Sequence, residues 1–142
     1  MRKRERRHDV IRDIVRENAV RTQKELAEHL KAAGFECTQA TISRDVMDMG
    51  LVKSADGCYV LPEELRLARM VDDLVSDVLP ACNLVVVKTS AGAAQGVSAA
   101  LDGAALRGAL GTVAGDDTIL VACESDEAAS HVAAQIDKLR KH

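Results

Sequence analysis

Aromatic residues are almost absent from this chain. Its 142 residues include one Phe, one Tyr and no Trp, which together make up 1% of the sequence. Proteins that recognise single-stranded nucleic acids or RNA loops stack the unpaired bases on aromatic side chains. The composition therefore argues against RNA recognition by base stacking.

Long uncharged runs are also missing. The longest one comprises the 13 residues from Thr89 to Leu101, whereas a helix that spans a bilayer needs roughly 18 or more apolar residues. The basic stretch at the start leads into His8 and Asp9 instead of an apolar segment, which is not the pattern of a secretory signal. We therefore expect a cytoplasmic protein without a membrane partner.

The four cysteines are too scattered to predict a metal or redox site. No two of them form a C-x-x-C pair, the spacing typical of zinc knuckles and dithiol redox motifs. Cysteine is often a small core residue, so we expect reduced and mostly buried thiols and neither a metal nor a cofactor. The cysteines are Cys37, Cys58, Cys82 and Cys123.

The remaining composition is that of a folded protein with an uneven charge distribution. Hydrophobic residues make up 47% of the chain and charged residues 29%. Up to Arg66 there are 13 basic and 12 acidic residues, against 6 and 10 after it, and the basic excess is concentrated in Arg2 to Arg7. The basic excess suits a polyanionic partner for the first half only. The alternative is that these arginines are merely solvated. Two domains of about 70 residues each would have thin cores, which favours an oligomer.

Three short helices are predicted before any strand. Apolar residues recur at helical spacing between Arg4 and Asn18, which indicates an amphipathic first helix. Thr22 begins a capping box for a second helix that ends at Gly34. Thr38 is a candidate N-cap for a third helix over Gln39–Met49.

One face of the third helix has the composition of a DNA-reading surface. Its apolar face carries Ile42, Val46 and Met49, and the opposite face carries Ala40, Ser43, Arg44 and Met47. A helix that enters the major groove needs small residues for close approach, hydroxyl or amide groups, and an arginine that can fork onto a guanine or a phosphate. The residues predicted to contact DNA are Gln39, Thr41, Ser43 and Arg44.

A short hairpin follows the three helices. Two apolar stretches, residues 51–53 and 58–61, flank a turn that contains Asp56 and Gly57, a strong hairpin signal. The order of helix, helix, helix and hairpin describes a winged helix-turn-helix domain over residues 1–66. The same architecture can serve protein contacts alone, so the pattern leaves that alternative open.

Residues 67–142 predict an α+β domain that serves oligomerisation. A linker with some helix is expected over Pro62–Arg69, continuing toward Val75. Strands are predicted near 74–79, 84–87, 108–113 and 118–122, and helices over 93–101 and from Ser125 to Leu139. The predicted domain is an antiparallel sheet covered by two helices on one side, and the whole is an α/β two-domain chain.

Four polar residues of the second half form a candidate ligand site. Gln95 and Asp102 are seven residues apart and share a helix face, separated by roughly 10 Å along the axis, about the length of an extended amino acid. Asp116 and Asp117 add two carboxylates in a flexible turn, and a guanidinium can pair with carboxylates bidentately. A cationic ligand with an α-amino group would suit this set. A divalent metal on the Asp pair and an ordinary turn without a ligand are the alternatives.

Two motifs carry a family resemblance. Residues 38–45 read TQATISRD, and residues 111–118 read GTVAGDDT, preceded by NLVVVKTSAGAAQ at 83–95 and followed by Ile119 and Leu120. The first resembles the recognition-helix signature of the bacterial arginine repressors, and the second is similar to the effector site of the same family. The two motifs lie one in each half of the chain, so the resemblance spans essentially the whole chain, from the first helix to the last. It departs from the family at Ala91, where members commonly have proline, and in its arginine-rich start.

The resemblance implies a transcriptional regulator that responds to L-arginine. In this family a winged helix-turn-helix binds double-stranded operator DNA, and the second domain forms trimers that pair into a homo-hexamer with L-arginine between them. The implied function is repression of arginine biosynthesis genes, with activation of arginine catabolism as an additional role. Ser43 and Arg44 would contact operator DNA. The residues implied to bind arginine are Gln95, Asp102, Asp116 and Asp117, the last two holding its charged groups.

Other functions fit these residues less well. A small enzyme could use Asp116, Asp117 and Lys88 for acid–base chemistry, but the sequence shows no nucleophile–base pair, metal triad or phosphate loop, so no enzyme is expected. Nearer alternatives are a regulator of the same architecture with a different effector and an architectural subunit used in plasmid recombination.

Overall fold

Two compact units make up the chain, one extending to Leu65 and the other beginning at Arg66. The structure is a computed structural model, and it describes residues 2–140. Each unit has its own cluster of buried apolar side chains. Within residues 2–140, none of the helices combines the length and the hydropathy that a membrane-spanning segment requires.

The first unit consists of three helices and a two-stranded hairpin. The elements are α1 (Lys3–Glu17), α2 (Gln23–Ala32), α3 (Gln39–Asp48), β1 (Val52–Lys53) and β2 (Tyr59–Val60). Thr22 and Thr38 cap α2 and α3 as predicted, because each side chain accepts a hydrogen bond from the backbone amide three residues later. The core lies between the helices and is formed by residues such as Ile11, Leu26, Leu30, Ile42 and Leu61. The predicted winged helix-turn-helix is confirmed.

A single helix, α4 (Pro62–Leu74), contains the division between the two units. Proline is favoured at a first helical position because the amide it lacks would have no partner there, and Glu63 and Glu64 suit the positive end of the helix dipole. The segment predicted as a linker with some helix is therefore helical throughout.

The second unit is a four-stranded antiparallel sheet with two helices. Its elements are β3 (Val75–Ala81), β4 (Leu84–Thr89), α5 (Ala94–Ala104), β5 (Ala109–Ala114), β6 (Thr118–Cys123) and α6 (Asp126–Lys138). The strand order is β3-β4-β6-β5, so β3 and β5 are the edge strands. Register shifts interrupt both edges, between Val75 and Asp77 in β3 and between Ala109 and Gly111 in β5. The predicted α+β fold is confirmed.

The two faces of this sheet differ sharply. Alternate residues of β4 and β6 are fully buried in the core that includes α5 and α6, namely Val85, Val87, Ile119 and Val121. The strand register places four apolar residues in one row on the opposite face, which we call the open face: Leu79, Val86, Leu120 and Val113. Three of these side chains are 41–72% exposed. The sheet therefore presents an apolar surface that its own helices do not cover.

Candidate functional site

The predicted DNA-contacting residues all lie on α3, and the structure assigns them different surroundings. Gln39 and Arg44 are exposed, while Thr41 and Ser43 are half-buried. The Ser43 hydroxyl donates a hydrogen bond of 2.6 Å to the Gln23 side-chain carbonyl on α2. The Thr41 hydroxyl lies 3.0 Å from that of the N-cap, Thr38. Arg44 is therefore the exposed cation of this surface, and Gln23 is a neighbour that the sequence did not single out.

A buried carboxylate fixes α3 against α1. Asp45 is 1% exposed and accepts two hydrogen bonds from the Arg7 guanidinium, one of them at 3.0 Å. The His8 Nε2 atom lies 3.0 Å from the same carboxylate. Burial acts to raise the pKa of Asp45, but the hydrogen bonds and charges of Arg7 and His8 outweigh it, so this pKa lies below its ordinary range. The hydrogen bond to Asp45 raises the Arg7 pKa in return.

Part of the arginine-rich first helix thus has a structural role. Besides the pair formed by Arg7, Arg4 is 2.6 Å from Asp48 at the end of α3. Arg16, farther along α1, pairs with Glu64. The basic excess that favoured a polyanion partner is therefore partly neutralised within the unit, which lowers the charge available for phosphate contacts.

One side chain holds the hairpin beside the helices, and another contact joins its two strands. Arg21, which precedes α2, donates a hydrogen bond of 2.8 Å to the carbonyl oxygen of Asp56 at the hairpin turn. The Lys53 ammonium lies 5.2 Å from the centroid of the Tyr59 ring across the hairpin. Gly57 occupies the turn at a φ of +85°, which is strained for any residue with a Cβ atom. The hairpin is thus positioned as a wing.

In the second unit, Gln95 and Asp102 both reach from α5 to β5. The Gln95 side-chain amide donates to the carbonyl oxygen of Ala114 at 3.1 Å, and the Thr112 hydroxyl donates to the Asp102 carboxylate at 2.9 Å. Ser98, between them on the helix, is 2.5 Å from the same threonine hydroxyl. Gln95 and Asp102 therefore lie on the same face of α5, as predicted, and that face is directed toward β5. Thr112 and Ser98 add two hydroxyls between α5 and β5, and the sequence pattern did not single them out.

The turn that contains Asp116 and Asp117 lies at the N-terminal end of α5. The carbonyl oxygen of Asp116 accepts a hydrogen bond from the Ala94 amide at 3.2 Å, and that of Asp117 accepts one from the Thr89 amide at 2.8 Å. The turn was predicted to be flexible, but these two bonds fix its backbone. Both carboxylates are exposed, and that of Asp117 accepts a hydrogen bond of 2.9 Å from Thr118.

These contacts place all four predicted ligand residues along α5 and β5. The two aspartates of the turn and Gln95 lie at one end of α5, and Asp102 lies two turns farther on. The Gln95 amide, the Asp102 carboxylate and the Thr112 hydroxyl therefore meet between α5 and β5, while the exposed Asp117 carboxylate contacts Thr118. Over residues 2–140, no group of three or more His, Cys, Asp or Glu side chains is placed to hold a metal ion.

Family comparisons agree with both halves of this description. Residues 1–67 match the family model described as the arginine repressor DNA-binding domain, and residues 71–138 match that of the arginine repressor C-terminal domain. The chain belongs to the arginine repressor family. An arginine repressor from Carboxydothermus hydrogenoformans is 44% identical over 144 residues, covering 94% of this chain and 96% of that protein.

Other relatives show the same relationship. An arginine repressor from Desulforudis audaxviator is 48% identical over 130 residues, with 84% of this chain and 87% of that protein covered. One from Thermus thermophilus is 46% identical over 136 residues, covering 87% and 82% respectively. The comparisons confirm the predicted family and the prediction of an arginine-responsive transcriptional regulator with an N-terminal DNA-binding domain. The individual site residues stay predictions.

Proposed function

We propose that the chain represses arginine biosynthesis genes in the cytoplasm as a homo-hexamer, a dimer of trimers that L-arginine stabilises. L-arginine is the effector, and no further cofactor or catalytic step is required. Several N-terminal units of one hexamer bind paired half-sites of operator DNA together, so that stabilising the hexamer increases avidity for DNA. Family membership supports the regulatory role, and the surfaces described above support the mechanism.

The observation that carries the arginine site is the set of exposed carboxylates beside α5. Asp102 and Asp117 each accept a hydrogen bond from a threonine hydroxyl, and the hydroxyl that faces Asp117 also accepts one from the Lys88 ammonium at 2.7 Å. A ligand with a guanidinium and an α-amino group supplies two cationic groups at opposite ends, and a guanidinium matches a carboxylate through two parallel hydrogen bonds. Asp116 and Asp117 bind the charged groups of arginine in this proposal, and Gln95 and Asp102 complete the site.

The open face supports assembly. Leu79, Leu120 and Val113 are 48%, 41% and 72% exposed and belong to one row across the sheet. Contiguous exposed apolar surface of this kind is characteristic of protein interfaces. Burying it against further copies of the chain adds to the thin core that a unit of this size can form on its own.

The DNA-binding surface is the exposed side of α3. Arg44 contacts a base or a phosphate, and Gln39, Thr41 and Ser43 add hydrogen bonds near the start of the helix. The Ser43 hydroxyl donates a hydrogen bond to Gln23. It can therefore accept a hydrogen bond from DNA as it stands, or donate one to DNA after the bond to Gln23 is broken. The Asp45 contacts with α1 keep this surface in a fixed orientation.

A mobility-shift experiment at one fixed salt concentration tests the proposal. Duplexes selected by the full-length chain are titrated with and without L-arginine, with L-lysine as the control cation and random duplex as the competitor. We expect tighter, sequence-selective binding with arginine only. Reciprocal linkage requires that operator DNA also tighten arginine binding. Equal arginine affinity with and without DNA would contradict the coupling, and stronger competition by lysine, ornithine or citrulline would identify a different effector.

A further inference from the structure

Met47 on α3 has the largest exposed fraction among the exposed large hydrophobic side chains of the described residues, 81%. The other most exposed ones, Val113 and Leu110, lie on β5 of the second unit. Met47 instead projects from the helix that carries the candidate DNA contacts. A long apolar side chain that is exposed to water adds nothing to the hydrophobic core of its own unit. Its contribution is therefore to be sought in a complex that buries it.

The position of Met47 on the helix places it beside the candidate DNA contacts. Ala40, Ser43, Arg44 and Met47 follow the spacing i, i+3, i+4 and i+7, which brings four side chains onto one helix face. Four residues with this same spacing read base edges from the recognition helix of homeodomains. Met47 is three residues beyond Arg44, a rise of about 4.5 Å along the helix, comparable to the roughly 3.4 Å between successive base pairs.

The chemistry of the major groove offers one partner for an apolar side chain at this point. Base edges there present hydrogen-bond donors and acceptors, and the apolar group among them is the C5-methyl of thymine. Methionine is unbranched, flexible and polarisable, so it adapts to such a small contact. Ala40, at the other end of the same face, leaves room for the helix to approach closely.

We propose that Met47 is a specificity-determining residue that packs against the C5-methyl of a thymine beside the base pair nearest Arg44. The inference rests on the proposed binding of α3 in the major groove. It adds an apolar selection to the polar contacts of Ser43 and Arg44, so that the operator carries thymine at a position where hydrogen bonding alone would not select it.

The test removes the methyl group from the DNA and, separately, the apolar side chain from the protein. The full-length chain binds a duplex selected from a random pool, and each thymine is replaced in turn by deoxyuridine, which differs only in lacking the C5-methyl. We expect replacement at one or two positions to weaken wild-type binding about fourfold, the effect of losing one buried methyl group. Met47→Gln, similar in length but polar, should bind the two duplexes equally, and Met47→Leu should keep the preference for thymine.

The controls separate this inference from the wider proposal. Leu110→Ala removes an exposed apolar side chain from the other unit and should leave the thymine preference unchanged. Equal wild-type affinity for the thymine and uracil duplexes would overturn the role of Met47, as would a thymine preference that survives in Met47→Gln. A changed oligomeric state of Met47→Gln with the preference intact would place Met47 at a protein interface and also overturn it. If Arg44→Ala lost selectivity for the operator and Met47→Gln did not, α3 would remain the DNA-binding surface, but the role of Met47 would be rejected.

Discussion

Replacing Asp45 with asparagine should destabilise the first unit strongly. The carboxylate is 1% exposed, and the Arg7 side chain that it faces is 12% exposed. Asparagine keeps the shape of the side chain but leaves the nearly buried Arg7 guanidinium without a counter-ion. Removing one partner of such a buried pair lowers the free energy of unfolding by about 3–5 kcal/mol. Because Arg7 retains some contact with water, we expect a loss of about 3 kcal/mol. For a unit of this size that corresponds to a fall in Tm of about 12–24 °C.

The single tyrosine makes this measurement possible in the intact chain. The sequence has one Tyr and no Trp, and Tyr59 is buried in the first unit. Its fluorescence during urea or thermal unfolding therefore reports on that unit and not on the second. Asp48→Asn is the matched control, since the pair it breaks joins the same two helices but is exposed, with Arg4 at 60% and Asp48 at 31%. Exposed pairs of this kind contribute about 0–1 kcal/mol.

Equal losses in Asp45→Asn and Asp48→Asn would refute the reasoning, since Asp45 is buried and contacts both Arg7 and His8, whereas Asp48 is an exposed partner of Arg4. A double-mutant cycle adds a second check. Arg7→Met removes the cation that Asp45→Asn leaves unpaired, so the double variant should be more stable than the sum of the two single losses predicts. Additive losses would show that the pair is not coupled.

The same contact predicts a dependence on pH. The pKa of Asp45 in the folded chain lies below its ordinary value of 3.8. The unfolded chain therefore binds this proton more readily, and the stabilisation is fully present above about pH 4 and lost as the pH falls through the folded pKa. Wild-type unfolding followed by Tyr59 should show this acid loss, and Asp45→Asn should lack its share of it.

Three further predictions concern binding and assembly. Asp117→Asn should weaken arginine binding about tenfold or more, because a hydrogen bond to a charged group contributes about 1.5–3 kcal/mol; unchanged affinity by calorimetry would remove it from the site. Leu120→Lys places a charge on the open face and should yield smaller particles in sedimentation, with an unchanged particle size counting against this interface. Arg44→Ala should lose roughly 1–3 kcal/mol of discrimination between operator and random duplex; full discrimination would leave Arg44 a phosphate contact only.

Local signals were sufficient to predict most of the elements. The caps at Thr22, Thr38 and Ser125 are seen as hydrogen bonds to the amides three residues later, because a cap depends only on neighbouring residues. The continuous apolar runs that predicted β4 and β6 are strands in the structure, and alternate residues of each are buried on one face. Such patterns act over a few residues and can be recognised without knowledge of the tertiary structure.

The polar contacts of the sites could not be predicted in this way. The carboxylate of Asp45 meets Arg7 across 38 residues of chain, and the Ser43 hydroxyl meets Gln23 across 20. Such pairs depend on how one helix packs on another. The rigidity of the turn around Asp116 was missed for the same reason, since the amide that fixes it belongs to α5. Helix spacing placed Gln95 and Asp102 together, but it did not reveal that Thr112 lies opposite them.

The interrupted edges of the sheet bear on how copies of the chain can associate. A regular edge strand can pair with the edge strand of another molecule. Repetition of this pairing at each free edge leads to fibres. Here β3 carries a register shift and Pro80, which has no amide to donate, and β5 carries a shift of its own. In the proposed hexamer, association through the open face would instead be saturable, because a face buried against one partner is closed to the next. The irregular edges thus favour a particle of fixed size over continued growth.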